Sequence, residues 1–166
     1  MRHAVAALPF VLTIFALAVP ARAQVDPSKE TPKLDPADLV GVYEIVSGEK
    51  FGVPEPAERI KDTTARFTKD RIVVMDKDSH EVYGASYALV PSEAAAGEAA
   101  SGAKGSGIRM VSKPVKNESQ EQVSIGMIEK NGDKVRLVYA LPNVETPGKF
   151  KTKAGQLMFV MKRKAE

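Results

Sequence analysis

From Leu39 onward, short runs of β-branched and aromatic residues alternate with turn-forming residues, which is typical of an antiparallel sheet. No stretch keeps an apolar period of 3.6 residues over three turns, so long helices are not expected. The pattern predicts an all-β fold with short helical turns only. The eight expected strands lie near Leu39–Val46, Thr63–Thr68, Arg71–Asp76, Glu81–Val90, Gly107–Ser112, Gln122–Lys130, Lys134–Leu141 and Gln156–Lys162.

Turn chemistry predicts how several of these strands are connected. Asn131 and Gly132 separate two alternating segments, and both residue types accept the positive φ angles of a type I′ hairpin turn. The longest connection, Phe51–Lys61, is expected to hold a helical turn at Ala57–Lys61. The dipeptide Asp35-Pro36 combines a capping residue with a proline suited to the first helical position, and predicts another short turn.

Eight sequential antiparallel strands would leave two unpaired edges unless the sheet closes on itself. We therefore expect an up-and-down barrel, whose interior at eight strands is either filled by side chains or holds one small ligand. Which face of each strand points inward is left open, because several strands are apolar on both faces. In one such strand Ile72 and Val74 lie on one face and Val73 and Met75 on the other. In another, Leu157 and Phe159 lie on one face and Met158 and Val160 on the other. Such two-faced strands indicate that part of the exterior is covered by the 51–61 crossing, the N-terminal leader or a partner.

Residues 1–23 have the pattern of a secretory signal peptide. Arg2 and His3 precede an apolar run, Ala4–Val19, and Ala21-Arg22-Ala23 offers a small-x-small cleavage site. The run falls short of the about 20 apolar residues that a spanning helix needs. We expect cleavage, export to the periplasm or the extracellular space, and no membrane span in the mature chain.

The mature chain would have 22 basic and 21 acidic residues once Arg2 and Arg22 are removed, and it has no Cys. A near-neutral balance argues against a nucleic-acid partner, which usually requires a strong basic excess. The absence of Cys excludes disulfides, thiolate chemistry and a lipid anchor at the cleavage site.

Composition divides the remaining chain. Residues 24–35 are polar and proline-broken and are expected to form a flexible leader before a single domain at 36–166. Residues 92–107 contain six Ala, four Gly and three Ser, and are expected to form a mobile low-complexity loop insertion.

Several segments resemble a known family. Leu39-Val40-Gly41-Val42-Tyr43 resembles the Leu-x-Gly-x-Trp opening of lipocalin-like barrels. The order of the later segments is similar to that of small secreted lipocalin-like domains expanded in planctomycetes, a family without an established activity. Those segments are Ser86–Leu89 with Pro91, Lys113-Pro114, Gly126–Leu137, and Thr146-Pro147 with Phe150.

The resemblance implies that one end of the barrel is closed by Gly41, Tyr43 and Arg163, with Lys162 as the alternative cation. In lipocalins the first-strand Trp packs under a cation from the last strand, because a flat guanidinium stacks on an aromatic ring while its donors reach rim carbonyls. Here Tyr replaces Trp, Tyr139 stands where the later strand often carries Cys, and no helix follows Arg163. These departures argue against a large, lipocalin-type cavity.

The sequence offers little for catalysis, and we predict no catalytic residues, cofactor or metal. After signal removal His80 is the only histidine, and no Gly-x-Ser-x-Gly elbow is present. Asp76, Asp78 and His80 could surround a hard cation, but polar residues between two strands are ordinarily a turn. Asn117 begins a glycosylation sequon on an expected loop.

Three functions remain. The leading one is a non-catalytic exported module that binds a small apolar molecule or an envelope component. The others are a structural or protein-interaction barrel with a filled interior, and an unrecognised hydrolase. A cavity of a few hundred Å³ with apolar walls would favour the ligand-binding module. A filled interior with an exposed apolar patch would favour the structural or interaction barrel. Two carboxyl groups facing each other would favour the hydrolase.

Four tyrosines could line a pocket, since each combines a large apolar ring with a hydrogen-bonding tip. Tyrosine is also common in strands because it packs well there, so the core or the rim is the expected place. The four are Tyr43, Tyr83, Tyr87 and Tyr139.

Overall fold

The computed structural model describes residues 33–113 and 121–165. Within them, nine strands and three short helices follow one another along the chain. The helices are α1 (Pro36–Leu39), α2 (Ala57–Ile60) and α3 (Glu93–Glu98). The strands are β1 (Gly41–Lys50), β2 (Val53–Pro54), β3 (Thr64–Phe67), β4 (Arg71–Met75), β5 (Glu81–Val90), β6 (Lys104–Ser112), β7 (Gln122–Asn131), β8 (Lys134–Ala140) and β9 (Gln156–Arg163).

The strands form a closed antiparallel barrel, which confirms the predicted fold class. From β3 to β9 each strand pairs with the next, β1 pairs with β3, and β9 returns to pair with β1. Tyr43 lies opposite Arg163 and Lys50 opposite Leu157 in this closing pair, with an irregularity between Ile45 and Ser47. The two-residue β2 pairs only with the end of β1 and is not part of the eight-stranded ring. No helix in the described residues is long and apolar enough to cross a membrane.

The first strand begins later than predicted. Leu39 is the last residue of α1, whose N-cap is Asp35, and the strand starts at Gly41. The Asp35 carboxylate accepts from the N–H of Ala37, and the N–H of Asp35 donates to the Asp38 carboxylate. This reciprocal cap satisfies N–H groups that a helix start leaves without partners. A short turn therefore forms where the alternating pattern alone indicated a strand.

The hairpin between β7 and β8 turns one residue later than predicted. Asn131 pairs with Lys134, so the turn residues are Gly132 and Asp133. Gly132 has a φ of 57°. A positive φ at the first of two turn residues suits a type II′ turn, where glycine is preferred, rather than the predicted type I′ turn at Asn131.

The structure resolves which strand faces point inward. Ile72 and Val74 on β4 belong to the central core, as do Leu157 and Phe159 on β9. The core also contains a chain of perpendicular rings, with the centroid of Phe67 5.6 Å from that of Tyr43 and 6.0 Å from that of Tyr87. Edge-to-face contacts of this kind stabilise the core beyond the area they bury.

Residues 92–107 do not form the predicted loop, because most of the segment is helix α3 and the start of β6. Ser92 caps α3 by accepting from the N–H of Ala95, and β6 already begins at Lys104. Ala95 is fully buried, and a β-carbon on Gly105 would lie only 2.9 Å from the Ala95 carbonyl oxygen. The small residues allow a helix to lie directly against a strand, so the composition reflects close packing.

This helix covers part of the barrel exterior. Ala95, Met127, Val138, Phe150 and Met158 form a second apolar cluster, called here the outer cluster. Met127, Val138 and Met158 come from the outward faces of three consecutive strands. The cover predicted from two-faced strands therefore exists, and among the described residues α3 and Phe150 supply it over these three strands.

A buried charge pair borders the outer cluster. Arg136 Nε lies 2.6 Å from Glu129 Oε1, and the other oxygen of Glu129 accepts from the N–H of Ala100 at 3.1 Å. The Arg136 guanidinium lies over the Phe150 ring, 4.3 Å from its centroid. This pair links the segment after α3 to the β7–β8 hairpin and to Phe150.

The last residues of the predicted leader belong to the fold. Leu34 is 1% exposed and lies in the central core, and Lys33 forms a parallel bridge with Gly105. Burial of a leucine side chain is a strong reason for the chain to be fixed at that point. The folded domain therefore includes Lys33 and Leu34, which were predicted to belong to the leader. The predicted signal peptide, the remainder of the leader and the sequon at Asn117 lie outside the described residues.

Candidate ligand-binding site

The barrel has two different ends. The closed end is formed by residues 34–40, the turn at 68–70, α3 and the β7–β8 turn. The open end is formed by the crossing at 51–63, the turn at 76–80 and the long β8–β9 connection at 141–155. The two ends differ because the chain folds back over one of them before β1 begins.

The structure brings Gly41, Tyr43 and Arg163 together at the closed end. The Arg163 guanidinium lies 5.9 Å from the centroid of the Tyr43 ring, and it donates to the Val40 carbonyl oxygen at 3.0 Å. A β-carbon on Gly41, whose φ is 151°, would lie 2.9 Å from the guanidinium. Glycine therefore leaves room for the arginine. The alternative cation, Lys162, is exposed and lies opposite Glu44 instead.

An internal cavity of about 560 Å³ lies at the open end. Its walls are mainly apolar side chains from the inward faces of the strands, and they include Ile72, Val74, Met110, Leu137, Phe159 and Met161. The departures from the lipocalin pattern thus do not remove the cavity. Replacing Trp by Tyr at position 43 does not affect the cavity, because Tyr43 packs at the closed end and does not line the cavity.

Three charged residues lie at the mouth of the cavity. Lys50 at the end of β1, Glu55 and Arg59 contribute to its lining, together with Ile60 of the short helix α2. Arg59 Nη1 lies 3.8 Å from Glu55 Oε2, and the Arg59 side chain is 73% exposed. An ion pair this exposed contributes little stability. These residues give the entrance a polar border above apolar walls.

The four tyrosines fall into two pairs. Near the closed end, Tyr43 donates to the Leu39 carbonyl oxygen and Tyr87 to the Thr68 carbonyl oxygen, each at 2.8 Å. Tyr83 and Tyr139 line the cavity. Tyr139 is 9% exposed, with its ring centroid 6.5 Å from that of Phe159.

The cavity tyrosines lack the hydrogen bonds that the other two make. Among the described residues, neither the Tyr83 nor the Tyr139 hydroxyl has a hydrogen-bond partner. Burial raises the pKa of both phenols, and in Tyr139 the neighbouring Tyr83 raises it further. Both groups are therefore neutral donors at physiological pH. In the part of the chain that the structure describes, Arg71 Nε is the only buried side-chain polar atom without a partner. The two tyrosine hydroxyls are therefore open to the cavity and available to a molecule inside it.

Apolar side chains also stand exposed around the open end. Phe51 and Val53 lie in the crossing after β1, and Val82 lies at the start of β5, where it lines the mouth of the cavity. Phe51 has a φ of 57°, and the Lys50 ammonium lies 5.2 Å from the centroid of its ring. The entrance thus combines apolar and cationic surface.

The cation candidate at Asp76, Asp78 and His80 forms a turn. Potential ligand atoms of the three residues lie within 4.8 Å of one another. Asp76 Oδ1, however, accepts from the N–H groups of Asp78 and His80 at 2.9 and 2.8 Å. The backbone N–H of His80 is the largest cause that lowers the pKa of Asp76. An aspartate that accepts from N–H groups just after it is a common way to stabilise a tight turn.

The sequence analysis did not distinguish Tyr83 and Tyr139, which line the cavity, from the other two tyrosines. A signal for Tyr139 was available, since Val135, Leu137 and Tyr139 alternate with Lys134 and Arg136 on β8. Such alternation places the tyrosine on the inward face. No comparable signal marks Arg59 or Glu55, whose place at the cavity depends on how the crossing folds over the barrel.

The protein is thus a closed antiparallel β-barrel with an apolar cavity that opens at one end. Comparison of the chain with protein-family models, curated proteins and solved structures finds no match. The functional proposal therefore rests on the geometry of the cavity.

Proposed function

We propose that this protein is an exported, non-catalytic, lipocalin-like module that binds a small apolar molecule inside its barrel. The observation that carries the proposal is the cavity of about 560 Å³ with apolar walls. Ligand sites in proteins commonly occupy about 300–1,000 Å³ and combine apolar walls with a few polar groups. The cavity has both features, since Tyr83 and Tyr139 supply polar groups within an apolar lining.

The two alternative functions are less well supported. A structural barrel would be filled by its own side chains, and the cavity argues against that. A glycoside-type hydrolase would need two carboxyl groups facing each other across the site. Among the described residues that line the cavity, Glu55 is the only carboxylate, and it faces Arg59.

Export is supported by the sequence of residues 1–23. Its test is the mass of the protein recovered from the native periplasm or culture medium. Cleavage predicts a mature N-terminus at Gln24. A full-length protein that stays in the cytoplasm contradicts export without touching the ligand proposal.

Ligand binding is tested with N-phenyl-1-naphthylamine, an uncharged apolar dye that fluoresces in apolar surroundings. The chain has no Trp, so the background signal is low. We expect saturable binding by the wild-type protein. Val74→Phe places a larger side chain in the cavity and should weaken binding at least about tenfold, because overpacking removes space the dye needs.

Val73→Phe is the matched control, since Val73 is the neighbour of Val74 on the outward face of β4. It should leave dye binding unchanged. Circular dichroism establishes that both variants keep the barrel. No saturable binding by the wild-type protein, or an equal effect of the two substitutions, contradicts the proposal.

A further inference from the structure

We infer that the ligand of the cavity is a mainly apolar molecule with an uncharged oxygen acceptor, such as a ketone or ester carbonyl, which binds the hydroxyls of Tyr139 and Tyr83. This inference rests on the proposed function and names the chemical class of the ligand. It starts from two phenols that line the cavity and have no hydrogen-bond partner among the described residues.

The contrast within the same barrel supports this inference. Tyr43 and Tyr87 each donate to a backbone carbonyl at 2.8 Å, which shows how this fold satisfies a buried phenol. Tyr139 is also buried, with 9% of its surface exposed and Phe159 beside its ring. A wholly apolar ligand would cut these hydroxyls off from solvent without offering an acceptor, which carries a desolvation cost. An acceptor on the ligand removes that cost.

The protonation state of the two groups determines which partner they need. Burial raises the pKa of both phenols, so each retains its proton and offers an O–H donor. A phenol donor is complemented by a carbonyl or ether oxygen. The two donors come from different strands, Tyr83 from β5 and Tyr139 from β8, and both line the cavity.

The distribution of charge favours an uncharged ligand. The cations among the described lining residues are Lys50 and Arg59, both at the mouth, and Arg59 is exposed and already faces Glu55. A carboxylate at the depth of the phenols would be a buried charge without a countercharge, which is costly. An anionic head group would therefore remain at the entrance, out of reach of the phenols.

The test compares 2-dodecanone with 2-methyl-1-dodecene, in which a methylene group replaces the carbonyl oxygen, by competition with the dye. Tyr139→Phe removes one hydroxyl and keeps the ring. We expect it to weaken ketone binding about tenfold and to leave alkene binding within about twofold, since only the ketone loses a hydrogen bond. Tyr83→Phe should also weaken ketone binding more than alkene binding.

Tyr87→Phe is the matched control, because it removes a phenol hydroxyl that does not line the cavity. It should change neither affinity. If both probes bind and Tyr139→Phe changes their affinities equally, the inferred ligand class is wrong while the proposed function stands. If dodecanoate binds more tightly than the ketone and loses that preference in Tyr139→Phe, the ligand is an anion and the inference is again wrong. If neither the dye nor any of the probes binds, the proposed function itself is wrong.

Discussion

Removing Arg136 should destabilise the barrel more than removing its partner Glu129. The Glu129 side chain is 4% exposed and the Arg136 side chain 29%. Without Arg136, the carboxylate keeps the Ala100 N–H as its hydrogen bond among the described residues. Without Glu129, the guanidinium still reaches water and still lies over Phe150. The loss of Arg136 should therefore lower the free energy of unfolding more than the loss of Glu129.

The magnitudes follow from these geometries. Arg136→Met leaves a buried carboxylate unpaired, for which a cost of about 3–5 kcal/mol is typical. It also removes the contact with the Phe150 ring. Glu129→Gln keeps an acceptor for Ala100 and loses one charge-assisted hydrogen bond, a cost of about 1.5–3 kcal/mol. The double variant should cost less than the sum of the two, with a coupling of about 1–3 kcal/mol.

The assay is urea unfolding followed by far-UV circular dichroism, with all variants compared at the same pH. Arg109→Met serves as the control, because Arg109 is an exposed arginine on β6. It should change the free energy of unfolding by no more than about 0.5 kcal/mol. An Arg136→Met variant that is milder than Glu129→Gln, or effects that add within about 0.5 kcal/mol, would refute the reasoning.

Three further predictions concern the closed end. Tyr43→Phe leaves the Leu39 carbonyl oxygen without its 2.8 Å partner and should lower the free energy of urea unfolding by about 1–2 kcal/mol; an unchanged value contradicts a role for this bond. Burial raises the pKa of Tyr87 from 10.0 to about 12, so the folded state favours the neutral phenol. Stability present below pH 10 should fall by up to about 2 kcal/mol as the pH rises from about 10 to about 12, and Tyr87→Phe should reduce that fall; an equal fall in both proteins refutes the assignment. Leu34→Ala should cost about 2–4 kcal/mol in thermal or urea unfolding, whereas a change below about 0.5 kcal/mol would mean that the segment before α1 is not part of the core.

The fold was predictable because its information is local. Alternation within strands and turn residues between them indicate the eight segments, and the cost of open sheet edges indicates closure. The exact turn was less accessible: Asn131 and Gly132 both suit a hairpin, and only the observed pairing of Asn131 with Lys134 identifies Gly132 and Asp133 as the turn. A shift of this size depends on how the two strands pair along their whole length.

The helix α3 was not predictable from composition, because small residues serve two opposite purposes. Alanine and glycine are common in flexible linkers, and they are also what allows backbones to approach closely. The difference here lies in the approach of Gly105 to the Ala95 carbonyl, which joins positions on two separate elements. Nothing in the local sequence distinguishes the two cases.

The cavity itself could only be partly anticipated. The alternation of Leu137 and Tyr139 with Arg136 identifies an inward face on β8. Whether space remains in front of that face depends on the side chains that seven other strands bring to the same level. One of these is Ala65, a small residue where a larger one would fill the interior.

The pairing of β1 with β9 determines when the barrel can be completed. Tyr43 belongs to the first strand to be synthesised and Arg163 to the last, so the two meet only after the whole domain has left the ribosome. Until then, one side of β1 and one side of the growing sheet remain free to pair with another chain, a state prone to aggregation. A shortened chain that stops before β9 would keep both free edges permanently.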